Sequence, residues 1–412
     1  MKQHDILIIG DGIVGLALAH ALAKEDIDIA ILSNSDLFAR PKKQVLHSKR
    51  LDSGRETSAK NIQEYDQRVS AITLASEHLF KQLGVWEDIS FRRVSPFRDM
   101  QVWDATGSGQ IHFDSAWIGQ THLGHIIENS VMLAALQENL LSYSNVTYYP
   151  LRELTELMRP AEGVIVKTQQ ETIFTKLLIG ADGANSWVRQ QAGFMLKQQS
   201  YDQTAIIATV QTEHDHKETA WQRFMPTGPL AFLPLNHANQ SSIVWSCEPM
   251  LAAEIMAYDD ETFCQELGKA LDFKLGQVLS SSVRQSFPLV MRHAERYIME
   301  NIALVGDAAH TIHPLAGQGL NLGLADVACL VKALQKNLSL NRPLGYMSFL
   351  RQYERERRIH NLLMIKAMNM FKHLFSNEHA LLVSLRNNGL NGVDSLSWLK
   401  IFFMQQAAGI GA

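Results

Sequence analysis

A chain of 412 residues with 46% hydrophobic and 19% charged content can bury a large core and is long enough for two or three domains. Its net charge of -4 at pH 7 excludes the basic footprint that nucleic-acid binding requires, because neutralising phosphates takes a clustered positive surface. Cys247, Cys264 and Cys329, the three cysteines, form no CxxC pair, so neither a disulfide framework nor a thiolate metal site is expected and a reducing, cytoplasmic setting fits.

The N-terminal apolar run Ile6 to Ile9 is too short for a signal-peptide core. No stretch approaches the roughly 20 apolar residues of a membrane span, so membrane contact is expected from one side only. Ile6 to Ile9 ends in glycines, the alanine-rich segment Ile13 to Ala23 follows, and Ile27 to Leu32 is a second apolar run. That order predicts a βαβ unit opening a parallel sheet. From about 34 to 64 the chain is polar and charged, which predicts a loop. Leu177 to Ile179 and Ile302 to Val305 are further strand-like runs that meet Gly180 and Gly306. Between them, Ala205 to Val210, Leu230 to Leu235 and Ile243 to Ser246 predict strands without intervening helices, hence a separate antiparallel sheet. From Tyr346 to about Phe375 the apolar period becomes helical, with Arg351, Arg355, Arg357, Arg358 and Lys366 interspersed.

Gly10-Asp11-Gly12-Ile13-Val14-Gly15 is a GxGxxG directly after a strand and at the start of a helix. In that context Gly10 permits the turn, Gly12 lets the backbone approach a pyrophosphate at the helix N-terminus, and Gly15 lets helix and strand pack closely. The usual acid at the end of the second strand is replaced by Ser33 and Asn34, with Asp36 nearby, which weakens the expected hold on an adenosine ribose. Asp182-Gly183 follows the second glycine-ended strand, and Gly306-Asp307 follows the third. Alone, each reads as a turn or a capped helix start. His310 and His313 stand three apart, but Pro314 breaks a regular helix through them and no third ligand has recognisable spacing, so no metal site is expected.

Taken together, the GxGxxG, the DG pair and the GD pair resemble the single-component flavoprotein aromatic hydroxylases. Longer strings, Arg68-Val69-Ser70-Ala71-Ile72, His122-Leu123-Gly124-His125-Ile126-Ile127-Glu128-Asn129 and His310-Thr311-Ile312-His313-Pro314-Leu315-Ala316-Gly317-Gln318-Gly319, resemble the ubiquinone-biosynthesis branch, most of all its 2-polyprenylphenol-hydroxylating members. The resemblance implies an α/β fold: a Rossmann-like FAD-binding domain of the p-hydroxybenzoate hydroxylase type (1–87, 114–192, 286–345), an inserted antiparallel-sheet substrate domain (88–113, 193–285) and a C-terminal helical region (346–412). It implies FAD held by Gly10, Gly12, Gly15, Arg68, Asp182, Gly183, Gly306 and Asp307, with Pro314, Gly317, Gly319, Leu320 and Asn321 opening a helix beside the flavin. It also implies NAD(P)H as a transient co-substrate, O₂, a flavin C4a-hydroperoxide as the hydroxylating species, and a polyprenylated phenol or quinol as substrate.

Phe232, Pro234, Leu235, Trp245 and Phe287 are the candidate walls of the substrate pocket, with core packing as the competing reading because strand residues alternate faces. No catalytic acid or base has a distinctive spacing. The basic helix near 346–375 is a candidate contact for the inner membrane or a biosynthetic complex. Three alternatives stay open on sequence: a related flavin monooxygenase on another aromatic, including antibiotics; a flavin-dependent prenyl reductase; and a non-catalytic flavin-bearing scaffold.

Overall fold

The computed structural model describes residues 1–33, 65–150, 153–312, 318–375 and 379–409. The expected loop at 34–64, with Asn34 and Asp36, lies outside the described residues, as do His313, Pro314 and Gly317.

The first sheet has eight strands. Its parallel centre places β1 (Lys2–Ile9) between β2 (Ile29–Ser33) and β11 (Thr172–Gly180), with β8 (Val146–Pro150) beyond β2 and β19 (Ile302–Leu304) beyond β11. β18 (Ile298–Met299) extends it antiparallel, and the hairpin β9 (Leu154–Met158) with β10 (Val164–Thr168) hangs on β11. Ile6 to Ile9 and Ile29 to Leu32 are fully buried. A strand covered on both faces must be apolar at every position, which is why these runs do not alternate. Helices α1 (Ile13–Leu22), α4 (Asn129–Leu140) and α8 (Gln318–Ser339) pack on this sheet, joined by α2 (Leu74–Leu83), α3 (Trp86–Arg92) and the short α5 (Trp187–Gln191).

The second sheet has nine strands in the order β20 (His310–Thr311), β17 (Gln285–Ala294), β12 (Leu196–Thr212), β15 (Gln240–Cys247), β14 (Gly228–Pro234), β13 (Thr219–Met225), β5 (Asp99–Asp104) and β6 (Gln110–Asp114), with β16 (Val278–Ser281) on β12. It is antiparallel apart from the β13–β5 pair, which runs parallel. Helices α6 (Pro249–Ala257) and α7 (Asp260–Ala270) cover one face. A three-stranded sheet, β3 (Val69–Thr73), β7 (Gly124–Glu128) and β4 (Ser95–Phe97), packs against the other.

After α8 come α9 (Met347–Phe375), α10 (Ala380–Ser395) and α11 (Ser397–Ala408). The α10 helix is bolted to the second sheet by the buried ion pair of Arg386 with Asp104. Gly107 and Gly109 lie so close to Asn387 that a Cβ on either would fall within 2.5 Å of its side chain. One sequence expectation is corrected here. Arg357, counted among the basic surface of α9, is buried and paired with Asp326 at 2.8 Å, because its position on the helix turns it toward α8. The exposed basic residues are Arg351, Arg355, Arg358 and Lys366.

His20 marks a pH-sensitive point in the α1 packing. It is 2% exposed, lies edge-on to Tyr143 at 5.2 Å, and neither ring nitrogen has a hydrogen-bond partner among the described residues. Burial, aided by Lys24, pushes its pKa down to about 4. The unfolded chain, with an ordinary histidine near 6.5, therefore binds the proton more tightly, and stability falls as pH drops from about 6.5 to about 4 but is untouched above that window. His20→Leu is expected to flatten this fall in urea midpoint without abolishing it, since His293 is shifted to about 4 in the same sense. Parallel curves for the two proteins would refute the assignment.

Candidate active site

The three glycine motifs meet at one end of the parallel sheet. Ile9 pairs with Gly180 and with Leu32, and the backbone continues the ladder beyond the strands: Gly10 N–H donates to Leu32 O at 3.2 Å, Ala181 N–H to Ile9 O at 2.8 Å and Val305 N–H to Gly180 O at 3.0 Å. Each glycine of the first motif has its own reason. Gly10 has φ +116°, and a Cβ there would lie 2.3 Å from Ala181 O. On Gly15 a Cβ would lie 2.2 Å from Gly10 O. Gly12 differs, since a Cβ there meets nothing within 4 Å. It caps α1, whose first turn receives no side-chain cap, so the first N–H groups of the helix remain for an anion.

Ser33 is where the sequence lacks its acid, and the structure places a carboxylate beside it. Ser33 Oγ donates to Asp11 Oδ2 at 2.7 Å, so the negative group of this corner comes from the x of the GxGxxG. Spacing arguments look at the strand end and miss it.

In the second motif, Asp182 Oδ2 accepts from Val188 N–H at 3.1 Å, while Oδ1 is buried without a hydrogen-bond partner among the described residues. Burial raises its carboxyl above the usual range against those donors. Gly183, at φ +77°, has open space above its Cα. Arg189, six residues after Gly183, is buried and donates to Ala184 O at 2.8 Å and Ala308 O at 2.9 Å. It thereby ties the second motif to the third.

Gly306 has φ +59° and lies against Val14 of α1, 3.2 Å from a Cβ to Val14 Cγ1. Asp307 follows on a one-turn helix. It is open to solvent, and the protein crowded around it raises its carboxyl against the pull of His310 and Arg292. Gly319 at the start of α8 has open space above it, and Leu320 is half-buried. The Asn321 side chain is engaged with β3: Nδ2 donates to Ala71 O at 2.7 Å, and Oδ1 accepts from Thr73 N–H at 3.1 Å. It aligns α8 with β3 rather than reaching outward. Arg68 sits exposed just before β3, where its carbonyl accepts from Asn129 N–H at 3.0 Å.

These features fit a dinucleotide with an extended polar chain. Open backbone at Gly12, Gly183 and Gly319, an uncapped helix, an orphaned carboxylate oxygen on Asp182 and the solvent-open Asp307 all line one end of one sheet.

The substrate-wall expectation is corrected in part. Phe232 and Trp245 are buried with Leu230 and Ile243 against α6 and α7, so they are core. Pro234, two residues from Phe232, is also buried. Leu235 packs with Ala71 and Ile126 of the three-stranded sheet, and Phe287 is half-buried beside Tyr201 and Leu289. The opposite face carries the alternate residues: Ala231 and Val244 pack with Ala71 and Ile126 of the three-stranded sheet, and Met291 packs with Ile312 and Leu322. Phe232 and Trp245 belong to the parity of β14 and β15 that packs the helices, and Leu235 to the other. A cavity of about 600 Å³ lined by Asp99, Gln101, His112, Glu213, Lys217 and Lys274 opens elsewhere, by β5, β6 and β13. Its charged walls do not suit an apolar ring and it contains no motif residue.

The contrast between Gly12 and Gly10 yields a test. Gly12→Ala is expected to keep the fold, with a stability change within about 0.5 kcal/mol, while weakening flavin retention at least about tenfold, roughly 1.4 kcal/mol. Gly10→Ala is expected to lose both, because its clash is with backbone. Flavin absorbance after gel filtration and thermal unfolding separate the two effects; full flavin content in Gly12→Ala would show that the open space is not where the cofactor lies.

Comparison with known proteins agrees with this geometry. Residues 3–367 match the family model described as FAD binding domain. The chain is 35% identical to the mitochondrial ubiquinone biosynthesis monooxygenase COQ6 of Xenopus tropicalis, over 96% of this chain and 91% of that protein. It is also 35% identical to the ubiquinone hydroxylase UbiL of Rhodospirillum rubrum (99% and 90% covered) and to the 3-demethoxyubiquinol 3-hydroxylase of Escherichia coli (98% of both). Among solved structures, p-nitrophenol 4-monooxygenase PnpA of Pseudomonas putida shares the fold with a TM-score of 0.76 at 15% identity, covering 100% of this chain and 99% of that one. The chain belongs to the FAD-binding flavoprotein monooxygenases, in the family of the ubiquinone-biosynthesis hydroxylases.

Proposed function

We propose that this chain hydroxylates the aromatic ring of a polyprenylated phenol or quinol in ubiquinone biosynthesis, taking electrons from NAD(P)H and oxygen from O₂. The substrate class is supported by 35% identity, over nearly the whole chain, to ubiquinone-biosynthesis hydroxylases, and three small apolar clusters linked to one another are compatible with it. Ala71, Ile126, Leu233 and Leu235 pack with Val244; Val244 also packs with Tyr201, Ala205 and Leu289; Met291 joins that group to Ile312, Leu322 and Ile365. These linked clusters join the three-stranded sheet to α9, and the proposal routes the ring and its hydrocarbon tail along them.

FAD, when bound, supplies hydride acceptance and the activation of O₂ for oxygen transfer to an electron-rich ring. The protein's part is to hold and shield. The α1 N-terminus and Gly12 would take the pyrophosphate, Asp307 the polyol chain, and the first turn of α8 would set backbone N–H groups against negative charge at the ring edge. Val244, Met291 and Phe287 would exclude water from the reacting ring. Quinone analysis of a deletion strain by mass spectrometry tests the reading: an accumulated polyprenylphenol or a later ring intermediate is expected, and an unchanged ubiquinone pool would overturn it.

The tail needs a way out of the protein, and the surface of α9 and α11 is its exit in this proposal. Exposed Ile359, Leu363 and Met370 alternate along α9 with exposed Arg355 and Lys366, and α11 exposes Trp398, Phe402 and Phe403. A mixed basic and apolar helix face is the pattern that rests in an anionic membrane interface. Among the described residues no helix is long and apolar enough to cross a membrane. Co-sedimentation with vesicles of mixed anionic and neutral lipid is expected to fall at least about fivefold, close to 1 kcal/mol, in an Arg355→Glu, Lys366→Glu, Trp398→Ser variant. Equal binding would count against this surface.

A further inference from the structure

We propose that Glu77, His122 and His125 form a binding site for a divalent transition-metal ion of the zinc class, separate from the flavin site. Glu77 lies in the first turns of α2; His122 and His125 lie on the approach to and within β7. Glu77 Oε2 is 2.8 Å from His122 Nε2 and 3.3 Å from His125 Nδ1, and the three ligand atoms all fall within 4.8 Å of one another. Ligands bound to zinc at 2.0–2.2 Å in a tetrahedron stand roughly 3.3 Å apart, so the site needs little rearrangement to close around an ion.

Two further observations point to a ligand. His125 is 7% exposed and its Nδ1, aimed at Glu77, makes no hydrogen bond of good geometry. A buried ring nitrogen without such a bond is costly in a finished core. His122 is oriented through its other nitrogen, Nδ1, which is 2.9 Å from Thr121 Oγ1; this leaves Nε2 to ligate, in the way outer partners fix a metal-bound imidazole.

Lys81 is the competing cation. Its Nζ is 2.5 Å from Glu77 Oε1, the oxygen that neither histidine uses, so monodentate coordination through Oε2 leaves that pair in place. The partly exposed His122 gives water access to a fourth position. Two nitrogens and one carboxylate oxygen favour zinc, cobalt or nickel over calcium or magnesium. An ion here would staple α2 to β7. Because Thr73, the α2 cap, hydrogen-bonds Asn321 of α8, the staple would brace the first turn of α8. In the sequence only the three cysteines and the pair His310 and His313 suggested ligands, and neither had the spacing of a site; Glu77 stands 45 residues from His122.

Zinc binding to the flavin-loaded protein provides the test. After equilibration with zinc sulfate and gel filtration, elemental analysis is expected to show one equivalent retained. His122→Ala/His125→Ala and the near-isosteric Glu77→Gln are each expected to weaken retention at least tenfold, and Lys81→Met to strengthen it by removing the rival cation. Thermal unfolding with and without zinc should show a shift in the wild type that the double variant lacks. If the wild type retains no more zinc than the double variant, or if Glu77→Gln retains it undiminished, the site is an ion-pair cluster and the proposal fails.

Discussion

Asp326 is the constraint on which the flavin end of the molecule depends. It is wholly buried on α8 and accepts from Gly306 N–H at 3.0 Å, His310 Nε2 at 2.6 Å and Arg357 Nε at 2.8 Å. Burial would raise its carboxyl, but His310 and Arg357 overcome that and hold it below the usual range. A carboxylate oxygen only accepts, so His310 must present Nε2–H to it, and the ring tautomer follows. Arg357 continues to Asn361 at 3.0 Å, Asn361 to the Tyr297 hydroxyl at 3.2 Å, and that hydroxyl lies 3.1 Å from His293. One carboxylate thus joins the third glycine turn, β20, α8 and α9. Removing either member of such a buried pair leaves the other charge uncompensated, at a cost of about 3–5 kcal/mol.

The glycine turns show the same economy at the backbone. Gly10, Gly15 and Gly306 are fixed by what surrounds them: Ala181 O, Gly10 O and Val14 leave no comfortable room for a side chain. Gly12 and Gly319 are fixed by nothing in the protein, since each faces open space, and Gly183, which also faces open space, is held to glycine only by its backbone at φ +77°. The first group builds the platform, and the second leaves its surface bare. Arg189 then locks the platform by bridging Ala184 and Ala308, with its charge balanced by Asp182.

What the sequence disclosed follows this division. Parallel strands covered on both faces advertise themselves as continuous apolar runs, and glycines that permit close approach fall at fixed spacing after them, so β1, β11, β19 and their turns could be read directly. Contacts made across long separations could not. Ser33 meeting Asp11, Arg189 meeting Ala308, and Arg357 turning inward to Asp326 depend on how elements dock, which no local pattern records. The substrate face failed for a different reason: a strand discloses its two alternating sets but not which set faces the flavin, and the larger side chains, Phe232 and Trp245, had gone to the α6 and α7 core.

That inversion of the substrate sheet has a functional logic. Large aromatics pack α6 and α7 onto one face of β14 and β15, where dense interlocking stabilises the domain. Smaller or more pliable residues, Ala231, Val244 and Met291, are left for the opposite face. An apolar surface of small and flexible side chains leaves room for a ring to lie against it and for a chain to slide along it. Its continuation through Ile312 and Leu322 to Ile365 of α9 brings it to the helix whose outer side mixes arginine and lysine with isoleucine, leucine and methionine. The buried side of α9 is anchored by Arg357 on Asp326, the hub that also holds the third glycine turn. One helix therefore carries the flavin-side anchor on one face and the proposed membrane contact on the other.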